Sequence, residues 1–343
     1  MSMTITTVIP TYRRPALLRR AIESVLAQSY QDVQVRVYDN ASGDTTTREV
    51  ADIAARDARV TLVRRAENIG AAENFIRAFD DVSTPLCSFL SDDDYVLPGF
   101  FARAVSALDE NPGAGFFAGS TLEHDVEGGV RFAPLLSWPR EGRYEPSESV
   151  LRMLGNKHPT WTGVVFRTQA LRAAGGFDRA AAAVLDVDIE LRVAARAPIV
   201  VSFAPCAVYT THADSVLANQ TAAVAAGYER VLENIDAVPT LSPEVKRRFD
   251  ARWRRQLRLK LVEIAVKSQV RGDAAAAQEA ARELCDRYGS RWLGGALAAL
   301  LGTCARLPAA QSLLRRFEAR RVEARAAHAR DQVAISEERR RPA

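Results

Sequence analysis

Cysteine is scarce and scattered in this 343-residue chain: Cys87, Cys206, Cys285 and Cys304 form no C-x-x-C pair, which excludes a paired-cysteine zinc or redox site. Two of the four sit inside apolar runs and read as buried thiols of a reducing compartment. Long hydrophobic runs are missing as well. The longest candidate, Trp292 to Ala305, stops at Arg306, short of the roughly 18 residues a membrane span needs. The N-terminal MSMTITTVIP has no basic region leading into an apolar stretch, so no secretory signal is expected and the cytoplasm is the expected location. Lysine is rare too, with 4 among 46 basic residues. An arginine-for-lysine coding bias explains much of that, and the basic tail lacks the interleaved aromatics of a single-strand platform, so nucleic acid is not an expected partner.

What is present is ordinary in bulk and uneven along the chain. Apolar residues make up 48% and charged residues 26%, enough for a sizeable core. Residues 1–239 carry 23 Lys+Arg against 30 Asp+Glu, whereas residues 240–343 carry 23 against 12. An acidic part suited to cations is followed by a basic part suited to an anionic surface.

The first half alternates strand and helix signals. ITTVIP (Ile5 to Pro10), VQVRVYD (Val33 to Asp39), VTLVRR (Val60 to Arg65) and LCSFL (Leu86 to Leu90) read as strands. Helical spacing fills the gaps at Ala16 to Ala27 and Thr46 to Arg56, and Glu67 to Phe79 reads as a loop running into another helix. Such repetition predicts an α/β fold with a doubly wound, mainly parallel sheet whose site lies at the carboxyl edge. Beyond it, Gly113 to Ser120, Thr162 to Arg167 and Ile199 to Pro205 read as strands, and the polar stretch Glu123 to Ser147 as a loop or lid. From about Ala222 the chain is helical, with Val245, Phe249, Trp253, Leu257 and Leu261 forming one apolar stripe and a break at Gly272-Asp273. The expected boundary lies near residue 240, dividing a catalytic unit, residues 1–239, from a helical region, residues 240–343, whose last residues read as disordered.

Three consecutive aspartates, Asp92, Asp93 and Asp94, end the fourth strand and precede YVLPG. Adjacent like charges repel and are poor strand formers, so folding gives little reason for them. A hard divalent cation, Mg²⁺ or Mn²⁺, with a phosphate-rich ligand gives one; the competing reading is a solvated acidic turn.

The ordered elements TVIPTYRRP, VYDNASGDT, ENIGAAENF, SDDDYVLPG, GVVFR…GGFD, LDVDIELR and VYTTHADS resemble the family 2 glycosyltransferases over roughly Thr6 to Asn219. The resemblance implies a GT-A fold, with a nucleotide-sugar half over about residues 1–120 and an acceptor half over 121–239. It implies an inverting, metal-dependent transfer of sugar from a nucleotide-diphosphate donor to an acceptor hydroxyl, in bacterial glycan, glycolipid or natural-product synthesis.

The site residues follow from the residues and the resemblance together. Pro10, Thr11, Tyr12 and Arg13 form the turn that the resemblance places at the donor; Tyr12 can lay its ring on the base, while Arg13 and Arg14 also read as surface charges. A carboxylate at Asp39 can accept the N3–H of uracil or thymine, favouring a UDP or dTDP donor, although guanine N1–H fits as well and Asp39 also reads as a turn cap. Asn68 and Gly70 lie on a loop that the family places near the nucleotide, but Glu73 stands before Asn74 where the family often has a base. Ser91 takes the first acidic position of the family's Asp-x-Asp-Asp pattern. The metal role therefore falls on Asp93, assisted by Asp94 or Asp92, with Asp92 near the donor ribose and His212 near the diphosphate or metal. Asp186 matches the family's catalytic carboxylate, six residues before Arg192, with Asp188 as its rival; Asp188 and Glu190, and Asp186 itself, also read as helix N-terminal acids. Trp161 and Thr162, with His158, Thr160 and Asp188, are candidates for the acceptor pocket, Trp161 reading equally as core.

The tail supports two readings. Trp292 to Leu301, flanked by Arg287, Arg291 and Arg306, can rest on an anionic membrane face or pack against the catalytic unit or a second copy. Two other functions compete with sugar transfer. A sugar-1-phosphate nucleotidyltransferase needs a Gly-rich phosphate cradle after the first strand, and TVIPTYRR has none. A nucleic-acid binder would rely on the tail.

Overall fold

The computed structural model describes residues 3–125, 129–132, 134–155, 157–211 and 221–288, with isolated positions between 295 and 327. Four units build the first half: β1 (Ile5–Thr11) and α1 (Pro15–Leu26), β2 (Val33–Asp39) and α2 (Thr46–Ala54), β3 (Val60–Arg64) and α3 (Ala71–Asp80), and then β4 (Leu86–Phe89). After them come β5 (Tyr95–Val96), α4 (Phe100–Glu110), β6 (Phe116–Asp125), β7 (Gly129–Phe132), β8 (Gly142–Tyr144), α5 (Pro146–Arg152), β9 (Val164–Arg167), α6 (Thr168–Ala173), α7 (Leu185–Ala194) and β10 (Ile199–Thr211). The helices α8 (Thr221–Asp236), α9 (Pro243–Arg271) and α10 (Ala274–Tyr288) follow.

All ten strands form one sheet, ordered β3-β2-β1-β4-β9-β6-β10-β5, with β7 added to β6 and β8 to β10. Its long ladders are parallel (β1 with β2, β2 with β3, β1 with β4, β6 with β10) and the ladders of β5, β7, β8 and β9 are short and antiparallel. Side chains alternate across the pleat. Ile5, Ile9, Val35, Leu86 and Val165 face a core with α1, α2 and α4, whereas Val8, Tyr38, Phe89 and Phe166 face one with α3, α7 and α8. A sheet covered on both faces explains why the early strands read as compact apolar runs.

Strand order reverses between β1 and β4, and both run in the same direction. Their carboxyl ends therefore part at a topological switch point, and Thr11 and the aspartate triplet emerge there. The stretch from Glu123 to Ser147 corrects the expected loop. It contains the end of β6, both β7 and β8, and a 3-10 turn at Pro134–Ser137. Tyr144 pairs with Ile199 and its buried ring meets Trp138 edge-on at 4.8 Å. Those two aromatics supply the burial that the polar composition concealed.

The apolar stripe of α9 is not a separate core. Trp253 stacks on Tyr228 of α8 at 4.6 Å and on Phe249 at 5.4 Å, and its Nε1 donates to the Tyr228 carbonyl at 2.8 Å. Phe249, Leu257, Leu261 and Leu284 join the same buried cluster as Phe89 and Phe166, so the core continues across position 240. Among the described residues no helix is long and apolar enough to cross a membrane. Most of the expected membrane or dimer element, residues 292–301, lies outside the described residues.

Candidate functional site

Asp39 ends β2 beside Thr11, its Cα partner in the register. Its Oδ1 accepts from the Ser42 backbone N–H at 3.1 Å and from the Ser42 hydroxyl, closing an Asx-type turn, while Oδ2 has a 3.4 Å contact with Thr47 Oγ1. Ser42 Oγ accepts from Arg13 N at 2.9 Å, and Arg13 Nε donates to the Ser42 carbonyl at 3.0 Å. These bonds hold Arg13 at φ +57°, a left-handed conformation that costs a non-glycine residue about 1–2 kcal/mol. The turn leaves Tyr12 37% exposed, with the Arg13 guanidinium 4.9 Å over its ring. The neighbouring loop is internally bonded: Asn68 Oδ1 accepts from Asn40 Nδ2 at 2.8 Å and from Gly70 N at 2.9 Å. Glu73, the departure from the family pattern, pairs with Arg77 and Arg179, whose bonds hold its carboxyl down at about 2.

The three aspartates point three ways. Asp92 Oδ2 accepts from Thr11 Oγ1 at 2.7 Å. Asp92 Oδ1 and Asp93 Oδ2 then converge on one cationic nitrogen, Arg14 Nη1, at 3.3 and 2.7 Å. Asp94 turns inward. Its Oδ2 accepts from Thr162 Oγ1 at 2.7 Å, its Oδ1 from Thr210 N at 2.8 Å, and it is fully buried. Burial, then the Asp93 charge, raises its pKa to about 8. The expected metal role of Asp94 is therefore corrected: both oxygens brace the turn against β10 and the turn at Trp161–Gly163, and neither is open to a ligand. That approach needs Gly163, where an added Cβ would come within 2.3 Å of Thr121 Oγ1. Thr162 is corrected with it, because its buried hydroxyl serves Asp94 instead of facing an acceptor. Among the described residues no three His, Cys, Asp or Glu side chains cluster as metal ligands. The two that do converge, Asp92 and Asp93, form a hard-oxygen pair already meeting at one positive charge, which fits a cation that takes one or two carboxylates and keeps its waters or phosphates. His212 lies outside the described residues.

Asp186 and Asp188 sit on different faces of α7, two residues being about 200° apart on a helix. Asp188 is buried, accepts from Arg192 Nε at 2.8 Å and from Asn234 Nδ2 at 2.8 Å, and so ties α7 to α8. Its expected acceptor contact is corrected on that ground. Asp186 is half-buried and has no hydrogen-bond partner among the described residues. Tyr209 of β10 connects it to the aspartate turn: burial first, then the charges of Asp94, Asp186, Glu123 and Asp93, raise the pKa of this one phenol. Trp161 packs against Phe75 at 4.5 Å and stacks on Phe89 at 5.7 Å, a half-buried side chain on the core.

The sequence reads Glu190 only as a helix N-terminal acid; the structure puts it one turn beyond Asp186 on the same helix face. Its carboxyl is fully buried, neither oxygen has a hydrogen bond, and His158 Nδ1 lies 3.7 Å from Oε2. Burial above all, then the Asp186 charge, raises Glu190 to about 8 against the opposing pull of His158. The native state thus holds a proton that the unfolded chain releases between the ordinary value near 4.5 and about 8. Stability from this group is complete below that window and lost as pH rises through it. Glu190→Gln is expected to flatten the fall of the melting temperature between pH 5 and 8.5, and thermal scans across that range check it. The hint in the sequence was an acid four residues after Asp186, on the same face of the helix.

With this geometry, residues 6–175 match the model of glycosyl transferase family 2. Through these residues the chain belongs to that family. The fold is shared with Staphylococcus aureus TarS in complex with UDP-GlcNAc (TM-score 0.64, 16% identity, 92% of this chain and 90% of that one). It is also shared with the mannosyltransferase PcManGT of Pyrobaculum calidifontis, in complex with GDP-Man and Mn²⁺ (TM-score 0.54, 19% identity, 94% and 85% covered). A Campylobacter jejuni relative, the GalNAc(5)-diNAcBac-PP-undecaprenol beta-1,3-glucosyltransferase, is 29% identical over 104 residues, 30% of this chain and 34% of that protein. The chain spans between 20% and 62% of the length of the first curated relatives it matches.

Proposed function

We propose that this family 2 chain transfers a sugar, with inversion, from a UDP- or dTDP-sugar to an acceptor hydroxyl. The observation that carries the reading is the convergence of Asp92 Oδ1 and Asp93 Oδ2 on one positive charge at the switch point of the sheet, where α/β folds bind ligands. Asp39 Oδ2 receives the N3–H of the base, Tyr12 covers its face, and Asp92 takes the ribose side. A divalent cation held by Asp93 and Asp92 would supply charge neutralisation for the departing diphosphate. Asp186 removes the acceptor's proton as the acceptor oxygen bonds to the anomeric carbon. The bond from that carbon to the phosphate oxygen breaks, and its electron pair leaves with the nucleoside diphosphate. Approach opposite the leaving group inverts the centre.

The UDP-GlcNAc bound to TarS and the GDP-Man bound to PcManGT support a nucleotide-sugar donor, and the Mn²⁺ of the latter supports the metal. The name of the Campylobacter relative supports a lipid-linked glycan as the acceptor. A panel of UDP-, dTDP- and GDP-sugars, scanned by thermal shift with and without Mn²⁺, tests the reading. A UDP- or dTDP-sugar is expected to raise the melting temperature by mass action, more so with Mn²⁺. No shift with any member of the panel would sink it.

A further inference from the structure

Away from the aspartate turn, a cavity of about 660 Å³ opens between α9 and the segment from the Pro134–Ser137 turn through α5 to Lys157. Arg152, Lys157, Arg252, Arg255 and Lys260 line it, with Glu263 as the one acid. Glu263 is already engaged by Lys267 at 2.8 Å and Lys260 at 3.8 Å, and Arg152 by Glu148 at 3.8 Å. Lys157, Arg252 and Arg255 have no ion-pair partner among the described residues. Three uncompensated cations around one concavity form a field that attracts a multiply charged anion, and the arginine fork matches the oxygens of a phosphate in a bidentate way.

The cavity wall is braced. Gln256 Oε1 accepts from Gly155 N at 2.7 Å, and Trp138 Nε1 donates to the Lys157 carbonyl at 2.8 Å. These bonds fix the chain that carries Lys157 against α9. Leu259, 62% exposed, sits on the rim. The residue after Lys157, His158, is the one that faces Glu190, one turn from Asp186 on α7. The adjacent residues Lys157 and His158 thus carry the chain from the basic cavity to the helix that bears the candidate base.

We propose that this cavity is a second ligand site, binding the phosphate groups of a phosphate-bearing acceptor whose hydroxyl reaches Asp186. The assignment to the acceptor rests on the transfer reading above; the anion site itself does not. The ligand chemistry is a chain of phosphates or phosphodiesters, from a lipid-linked diphosphate or from a soluble phosphate-bearing glycan.

The test uses the full chain in EDTA and no donor, with tripolyphosphate as one probe and phosphatidylglycerol vesicles as the other. The groove variant is Arg252→Ala/Arg255→Ala. The control, Arg247→Ala/Arg271→Ala, removes the same charge from exposed positions of α9 outside the cavity. Tripolyphosphate affinity by calorimetry is expected to fall about tenfold or more in the groove variant and by less than about twofold in the control. Vesicle flotation lost only in the groove variant assigns the phosphate to lipid. Loss of tripolyphosphate binding with no flotation by the unaltered protein assigns it to a soluble chain. Equal weakening in both variants, or no tripolyphosphate binding by the unaltered protein, overturns the proposal. Because neither readout needs a donor, a failed sugar-nucleotide panel leaves the groove result standing, and the reverse holds too.

Discussion

An Asp186→Asn protein is expected to bind its donor as before and to transfer sugar about 10²–10⁴ times more slowly, the range a positioned general base contributes. The expectation rests on which acids of α7 are spoken for. Asp188 is locked to Arg192 and Asn234, and Glu190 is sealed in the interior with His158 beside it. Asp186 alone of the three is half-buried and without a hydrogen-bond partner among the described residues, in the first turn of the helix. Release of nucleoside diphosphate with an acceptor present gives the turnover, and the donor-induced thermal shift gives the binding. Turnover within about threefold of the unaltered protein would remove Asp186 from the role. Asp188→Asn separates the two acids: it breaks a buried ion pair, an injury worth about 3–5 kcal/mol that appears first in the melting curve.

The second large effect is on stability. Trp253→Ala is expected to cost about 3–5 kcal/mol, because it empties a fully packed site between two stacked rings and removes the indole bond to the Tyr228 carbonyl. For a unit of this size that corresponds to a drop in melting temperature on the order of 10 °C. The whole transition should move together, since Trp253 shares its buried cluster with Phe89 and Phe166 beneath the aspartate turn. If only a minor early transition moved while the main one stayed, the helices after residue 240 would be a unit of their own. Denaturant unfolding followed by tryptophan fluorescence and by far-UV circular dichroism separates the outcomes.

Much of this was legible in the residues because it depends on local period. The alternation in VQVRVYD placed Asp39 at the end of a strand, and the run LCSFL placed the aspartates after another. Two β-strands with intervening helices imply parallel neighbours, so both sets of acids had to reach the same edge. Trp161 shows the limit. An aromatic beside a candidate pocket reads alike whether it stacks on a sugar or on Phe89, and only the positions of Phe75, Phe89 and Phe177 decide. The stretch from Glu123 to Ser147 failed for a related reason. Its strands exist because β6 and β10 offer ladders to pair with, and such long-range partners leave little local trace.

The chain by itself determined the alternating α/β plan, the carboxyl-edge placement of Asp39 and Asp92 to Asp94, and the helix that carries Asp186. Tertiary structure alone decided what the acids meet: it turned Asp94 toward Thr162 and Thr210, tied Asp188 to Asn234 of α8, and brought Asp92 and Asp93 together at Arg14. The physical reason is that a residue's place along a strand or helix follows from short-range pattern, whereas the partner its carboxylate meets comes from segments 68 or 116 positions away.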